Sequence, residues 1–150
     1  RGSPEIRERI GGNMSKIPRE AWRIIEIKVR RYPESKLEYQ NIVDEILHNR
    51  AEEPGPGGSG AEGSPTEKMA IKIADHPRLK RLETEINAVE SVYNAMIPDH
   101  QKVIQARFWS YRYTKMSYFD MERCTSYRER QMRRIVANFI REVGKKLGEL

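Results

Sequence analysis

Four arginines and one glutamine occupy a seven-residue stretch near the C-terminus of the chain, the segment RERQMRR at residues 128–134. An arginine guanidinium donates two hydrogen bonds to the acceptors of guanine in the major groove of DNA, and a glutamine amide donates one hydrogen bond to adenine and accepts another. Basic side chains that lie farther from the bases bind phosphate oxygens and set the position of a protein on the duplex. These residue types predict recognition of double-stranded DNA.

The distribution of charge along the chain supports this prediction. The 150 residues carry a formal net charge of +6. Residues 99–150 contain 12 Lys and Arg against 6 Asp and Glu, whereas residues 1–98 contain 16 of each, so the whole surplus lies in the last third. Basic side chains clustered on one small helical unit are the electrostatic footprint of a nucleic-acid-binding element.

The sequence offers little for other kinds of chemistry. His48, His76 and His100 lack the spacing of metal ligands, and the single Cys124 can form neither a zinc finger nor an internal disulfide. There is no glycine-rich phosphate loop with its lysine and no nucleophile elbow. We therefore expect no enzyme activity, no cofactor and no metal. Because the sequence has no secretory signal and no apolar run near the ~18 residues of a membrane span, we expect a cytoplasmic protein without a membrane partner.

The arginine-rich segment lies where a short helix, a turn and a long helix are predicted. Ser117 is placed to cap the short helix, in which Met121 and Cys124 are the expected buried side chains. The following turn ends at Ser126, which forms a predicted capping box with Glu129 and opens the long helix. This order of elements is typical of a helix-turn-helix DNA-binding module.

The long helix divides into an apolar face and a face for DNA. Apolar residues recur at helical spacing at Met132, Ile135, Val136, Phe139, Ile140, Val143 and Leu147. When Met132 marks the centre of the buried face, Arg130, Arg134 and Arg141 point to the opposite side. We assign base readout to Tyr127, Arg130, Gln131 and Arg134. We assign phosphate contacts to Arg112, Lys115, Arg128, Arg133 and Arg141.

Composition divides the chain into five parts. Residues 1–14 read as a tag or a disordered extension. Residues 15–50 predict an N-terminal helical hairpin, and residues 51–64, rich in Gly and Pro, predict a flexible linker. Residues 65–98 predict a long helical segment, and residues 99–150 form the helix-turn-helix module. The predicted fold class is therefore all-α.

Two prolines and one serine set the boundaries within the hairpin. Its first helix runs from about Pro18 to Tyr32 and ends at Pro33, because proline disfavours helical geometry in the residue before it. Its second helix opens at Ser35, which is spaced to form a capping box with Glu38.

The long helical segment begins after Ser64 and is interrupted or capped again at Asp75-His76-Pro77. Beyond that point, apolar residues alternate spacings of three and four, as in a heptad seam, at Leu79, Leu82, Ile86, Val89, Tyr93 and Met96. Two interpretations stay open: these residues form the core within one chain, or they form the seam of a homodimer.

The order of these segments resembles the RinA-type phage transcriptional regulators. The resemblance rests on the hairpin residues 25–47, the glycine-rich spacer, and residues 64–109, which end in Arg107-Phe108-Trp109. The C-terminal module, ending in FIREVGKKLG, is similar to region 4 of bacterial sigma factors. The resemblance implies a DNA-binding protein without a catalytic site that activates late phage genes together with the RNA polymerase of the bacterial host.

Three alternatives differ in their DNA-binding behaviour. A small-terminase-like packaging protein would form a ring of subunits, although its helix-turn-helix would normally precede its oligomerisation helices. A sigma-like factor would bind promoters only together with RNA polymerase. A purely structural helical adaptor would not bind DNA in a salt-sensitive way.

Overall fold

A computed structural model describes residues 16–52 and 65–150. These residues are all-helical and contain no strand, which confirms the predicted all-α class. The helices are α1 (Arg19–Arg30), α2 (Tyr32–Glu52), α3 (Pro65–Asp75), α4 (Pro77–Asn94), α5 (Pro98–Ile104), α6 (Tyr118–Cys124) and α7 (Glu129–Leu147), and a π-helical turn (Gln105–Trp109) extends α5. Thus α2 continues to the second residue of the predicted linker. The rest of the linker and the predicted N-terminal extension lie outside the described residues.

Short local signals begin several of these helices. Pro65, Pro77 and Pro98 each stand at the first position of a helix, where the missing N–H costs no hydrogen bond. His76 caps α4, because its Nδ1 accepts the backbone N–H of Leu79 at 3.3 Å. The predicted new cap before α4 is thereby confirmed.

Helix α7 is the centre of the fold, and α1, α4, α5 and α6 all pack against it. Its apolar stripe is buried as the periodicity predicts, at Met132, Ile135, Val136, Phe139, Ile140 and Val143, and Leu147 is half-buried at the end. The core joins this stripe to Ile25 and Val29 of α1, Ala88, Val89 and Val92 of α4, Val103 and Ile104 of α5, and Met121 of α6.

The first helix belongs to this same core. Ile25 and Val29 are completely buried, and α1 packs on α7 and the π-helical turn, whereas α2 packs on α4 and α3. The buried carboxylate of Glu85 on α4 accepts a hydrogen bond from Arg31 Nη2 at 3.3 Å and lies 3.9 Å from Lys28 Nζ. The N-terminal helices and the C-terminal part therefore share one core, because an amphipathic helix of this length needs an apolar surface to cover it.

Pro33 lies inside α2 and does not mark the boundary that the sequence predicted. The Ser35 N–H donates to the Arg31 carbonyl at 2.7 Å, and Ser35 is buried, so the predicted capping box of Ser35 with Glu38 is wrong. Proline is tolerated here because it falls in the first turn of α2. Having no N–H, Pro33 cannot bond the Val29 carbonyl, and the indole Nε1 of Trp109 donates to that carbonyl at 2.8 Å.

The heptad-like residues of α4 are core residues of the single chain. Leu79, Leu82, Ile86 and Val89 are buried, and Tyr93 and Met96 are half-buried against the core. Because α2 and α7 already cover α4, this face is not open to a second copy of the chain. Of the two interpretations, burial within the single chain favours the core.

Replacing Trp109 with Phe tests the bond that compensates for Pro33. We expect Trp109→Phe to lower the free energy of unfolding by about 1–3 kcal/mol, because the Val29 carbonyl is left without its donor in a packed environment. The matched control is Trp22→Phe, whose indole donates to the partly exposed Glu26 carboxylate, a group that water can reach. Urea unfolding followed by circular dichroism measures both, and equal losses would contradict this account.

Candidate nucleic-acid interface

The unit formed by α6, its following turn and α7 is held together by two buried methionines. Ser117 caps α6 as predicted, accepting the Asp120 N–H at 3.1 Å. Met121 of α6 and Met132 of α7 are both completely buried in the core. Cys124, expected to be buried, is exposed, and its Sγ donates to the Asp120 carbonyl within α6 at 3.4 Å. The apolar face of α6 therefore ends at Met121.

Side chains fix the turn between α6 and α7. The Thr125 hydroxyl donates to the Met121 carbonyl at 3.1 Å and accepts the Tyr127 N–H at 3.3 Å. A carboxylate oxygen of Glu122 accepts the Glu129 N–H at 2.8 Å, which ties α6 to the first residue of α7. These bonds fix the residue at which α7 begins and the orientation of α7 relative to α6.

The start of α7 is capped by a different residue from the predicted one. The helix begins at Glu129, and Gln131 Oε1 reaches back to accept the Arg128 N–H at 3.0 Å. The predicted capping box of Ser126 with Glu129 is therefore wrong, because the helix starts later and the Glu129 N–H is bonded to Glu122. Gln131, a predicted base-contacting residue, has its carbonyl oxygen engaged in this cap.

Three arginines at the start of α7 project into solvent. Arg128, Arg130 and Arg134 are all exposed. In the part of the chain that the structure describes, Arg130 and Arg134 have no hydrogen bond or ion pair. They stand one helical turn apart on the face opposite Met132, as predicted. Their guanidinium groups are thus available to an external acceptor.

Arg133 is exposed but held in place by its neighbours. Its guanidinium bonds a carboxylate oxygen of Glu129 at 2.7 Å and lies 4.5 Å from the centre of the Tyr118 ring. The Arg107 guanidinium lies 3.9 Å from the same ring and donates to the Met116 carbonyl at 2.7 Å. Burial raises the pKa of the Tyr118 hydroxyl, so the ring stays neutral beside both cations. Attraction between a cation and an aromatic face restricts the motion of Arg133.

The other predicted phosphate-binding residues have partners within the chain. Lys115 forms an ion pair with Glu26 of α1. Arg112 lies 3.9 Å from a carboxylate oxygen of Glu34 on α2. Arg141 is half-buried and donates to Asn138 at 2.8 Å. The structure therefore brings Lys115 and Arg112 to the acidic side chains of the N-terminal helices, which neutralise part of their charge.

Tyr127, a predicted base-contacting residue, is packed partly into the fold. Its ring is half-buried against the core and meets the ring of His100 edge-on, with 5.6 Å between centroids. The turn directs this side chain toward the core, where its ring makes packing contacts.

The sequence interpretation missed three residues of this surface. Arg107, Tyr118 and Glu122 position Arg133 and the start of α7, although none of them lies on that helix. Tyr118 follows the capping Ser117. Its place in the first turn of an amphipathic helix was the signal in the sequence that could have identified it. Arg107 is brought near by the π-helical turn, which periodicity does not predict.

Residues 16–52 and 65–150 contain neither a metal-binding cluster nor a membrane-spanning helix. No cluster of three His, Cys, Asp or Glu side chains there has the arrangement of a metal site. None of the helices in these ranges has both the length and the apolar character needed to span a bilayer.

Comparison with known families identifies the group of this chain. Residues 20–145 match the model of a family described as proteins of unknown function, DUF722. The chain belongs to this family. The matched region runs from the start of α1 into the last turns of α7, so the shared core and the α6–α7 unit both lie within it. No curated protein and no solved structure gives a significant match.

Removing the Gln131 carbonyl tests its role as a cap. We expect Gln131→Ala to lower the free energy of unfolding by about 0.5–2 kcal/mol, because the Arg128 N–H loses its acceptor. Gln131→Glu keeps an acceptor at this position and adds a negative charge near the positive end of the helix dipole, so its stability should be close to that of the unaltered protein. Thermal unfolding compares the variants, and an unchanged Ala variant would contradict the capping role.

Proposed function

We propose that this protein is a sequence-specific double-stranded DNA-binding protein in which α6 and α7 act as a helix-turn-helix. One observation carries the proposal: Arg130 and Arg134 lie exposed and without partners on the first turns of α7, while the opposite face of that helix is buried. In a helix-turn-helix, the N-terminal residues of the second helix reach base edges in the major groove. Arg130 and Arg134 are therefore the proposed base-contacting residues.

The remaining cations divide by how the structure holds them. Arg128 and Arg133 flank the proposed base-contacting residues, and Arg133 is held beside Tyr118 in a defined position. We assign both to phosphate oxygens, which need a correctly placed charge rather than a particular base. Lys115 and Arg112 would have to exchange carboxylate partners for phosphates, so their contribution to affinity should be smaller.

The proposed biological role is activation of late phage genes in the cytoplasm of a bacterial host. The resemblance of the chain to RinA-type regulators and of its C-terminal module to sigma region 4 supports this role. In that role, α7 binds a promoter and another surface contacts the host RNA polymerase. The small-terminase-like and sigma-like alternatives remain distinguishable by experiment.

A binding selection on random duplex DNA at two salt concentrations tests the proposal. An enriched motif obtained with the purified protein would support a sequence-specific regulator. Salt-sensitive binding without a motif would favour the sigma-like or packaging alternative, because phosphate contacts alone carry no sequence information. A protein that binds no DNA at low salt would contradict the DNA-binding proposal.

Arg134→Ala tests direct base readout. We expect the variant to reduce discrimination between the selected motif and a single-base mismatch by roughly 1–3 kcal/mol, because a bidentate contact to a base is lost. The matched control is Arg81→Ala, which removes an exposed and unpaired arginine of α4 outside the α6–α7 unit. Fluorescence anisotropy on both duplexes measures the difference. An equal loss of affinity for all sequences would make Arg134 a phosphate contact.

Substitutions of Tyr118 test the positioning of Arg133. We expect Tyr118→Leu to reduce the slope of log K against log salt by about 1, because the phosphate contact of Arg133 loses its support. Tyr118→Phe keeps the aromatic face and should keep the slope. Circular dichroism confirms folding of both, and an unchanged slope in the Leu variant would show that Arg133 needs no such support.

A further inference from the structure

The outer part of α2 and the whole of α3, here called the arm (residues 39–49 and 65–75), contain no buried residue. Apolar side chains nevertheless run along both helices, at Ile42, Val43, Ile46 and Leu47 of α2 and at Met69, Ile71 and Ile73 of α3. They are all half-buried or exposed, and Ile71 is 59% exposed. Helix α1, which is similar in length to α3, has two completely buried residues instead.

A helix as exposed as α3 is physically unfavourable, because it contacts α2 and α4 without burying any residue. An isolated helix of 11 residues is marginal in water, and most helix stability in proteins comes from packing of an apolar face. Helix α4 packs against both arm helices, yet Leu47 and Ile71 stay exposed, and a further helix pair on this open side would enclose the stripes as in a helical bundle. The arm therefore has the composition of half a helical bundle.

The rest of the described chain does not supply the missing half. The neighbouring helix α4 packs against both arm helices and buries its own Leu79 and Leu82, yet Ile71 remains 59% exposed. The segment between the two arm helices, residues 53–64, contains no Val, Ile, Leu, Met or aromatic residue, so its sequence offers no apolar cover. DNA is a poor occupant as well, because most protein–DNA contacts are hydrogen bonds to phosphate and sugar, which an aliphatic stripe does not supply.

We propose that the arm of a second copy of this chain covers the arm, so that two copies form a four-helix bundle. The patch beside the apolar stripe carries both negative and positive side chains, so two copies of it can form ion pairs with each other. Glu45 of α2 and Lys68 and Lys72 of α3 are exposed, and none has a partner within the described residues. A two-fold axis brings the same patch of both copies together, and placing α2 of one copy beside α3 of the other forms each Glu–Lys pair twice.

This interface replaces the α4 seam that the sequence left open, since the apolar face of α4 is buried within one chain. It does not rest on the proposed DNA binding, because none of its residues belongs to the α6–α7 unit. If both proposals hold, the dimer carries two α7 helices, which suits a DNA site with two-fold symmetry.

Sedimentation equilibrium of the full chain tests the interface. We expect a mass of twice the 17.6 kDa chain at micromolar concentration. Ile71→Glu should raise the dimer Kd by about tenfold or more, because it places a charge in the apolar contact. The matched control, Ile97→Glu, changes an isoleucine that is 55% exposed outside the arm and should leave the dimer intact.

A charge exchange provides a second test that does not depend on the folding of the Ile71 variant. Glu45→Lys and Lys72→Glu should each weaken the dimer, and the double variant should recover part of the lost affinity because opposite charges face each other again.

A monomeric unaltered protein at 100 µM would overturn the proposal; so would a dimer that responds to Ile97→Glu and not to Ile71→Glu. A larger ring that both arm variants leave intact would also overturn it. DNA binding is measured separately, so failure of either proposal is recognised on its own.

Discussion

Burial of the apolar stripe of α7 is the constraint on which the rest of the structure depends. Met132, Phe139, Ile140 and Val143 are almost completely inaccessible to solvent, and each such side chain contributes on the order of 1.5–3 kcal/mol when it is removed from water. Four other helices are arranged around this stripe. Because one face of α7 must point inward, its opposite face must point outward. The exposed positions of Arg130 and Arg134 follow from the core rather than from any interaction of their own.

Ion pairs connect the N-terminal helices to this core. Glu85 of α4 is buried and is compensated by Lys28 and Arg31, and Lys28 also bonds Glu149 beyond the end of α7 at 3.2 Å. A buried carboxylate is unfavourable without partners, so these contacts specify the docking of α1. The same helix holds Lys115 through Glu26. The N-terminal part of the chain therefore shapes the proposed DNA-binding surface although it contributes no base-contacting residue.

The proposed DNA-binding face and the proposed dimer interface use different physical chemistry. The start of α7 offers charge on a rigid helix, with its position set by Glu122, Gln131 and Tyr118. The arm offers aliphatic side chains that the single chain leaves half-exposed. A surface of the first kind suits a polyanion, and one of the second kind suits another apolar helix pair. The two proposed surfaces have no residue in common.

Local patterns in the sequence determined the helices and the two faces of α7, because the period of 3.6 residues and the caps act between residues close together in the chain. The all-α class, the new cap at His76 and the burial from Met132 to Val143 were all predictable for that reason. Only the tertiary structure decided which partners the polar side chains take. Lys115 meets Glu26, Trp109 meets the Val29 carbonyl freed by Pro33, and Arg133 lies on Tyr118. Such contacts join segments that are far apart in sequence, or that an unpredicted π-helical turn brings together, and no periodicity records them.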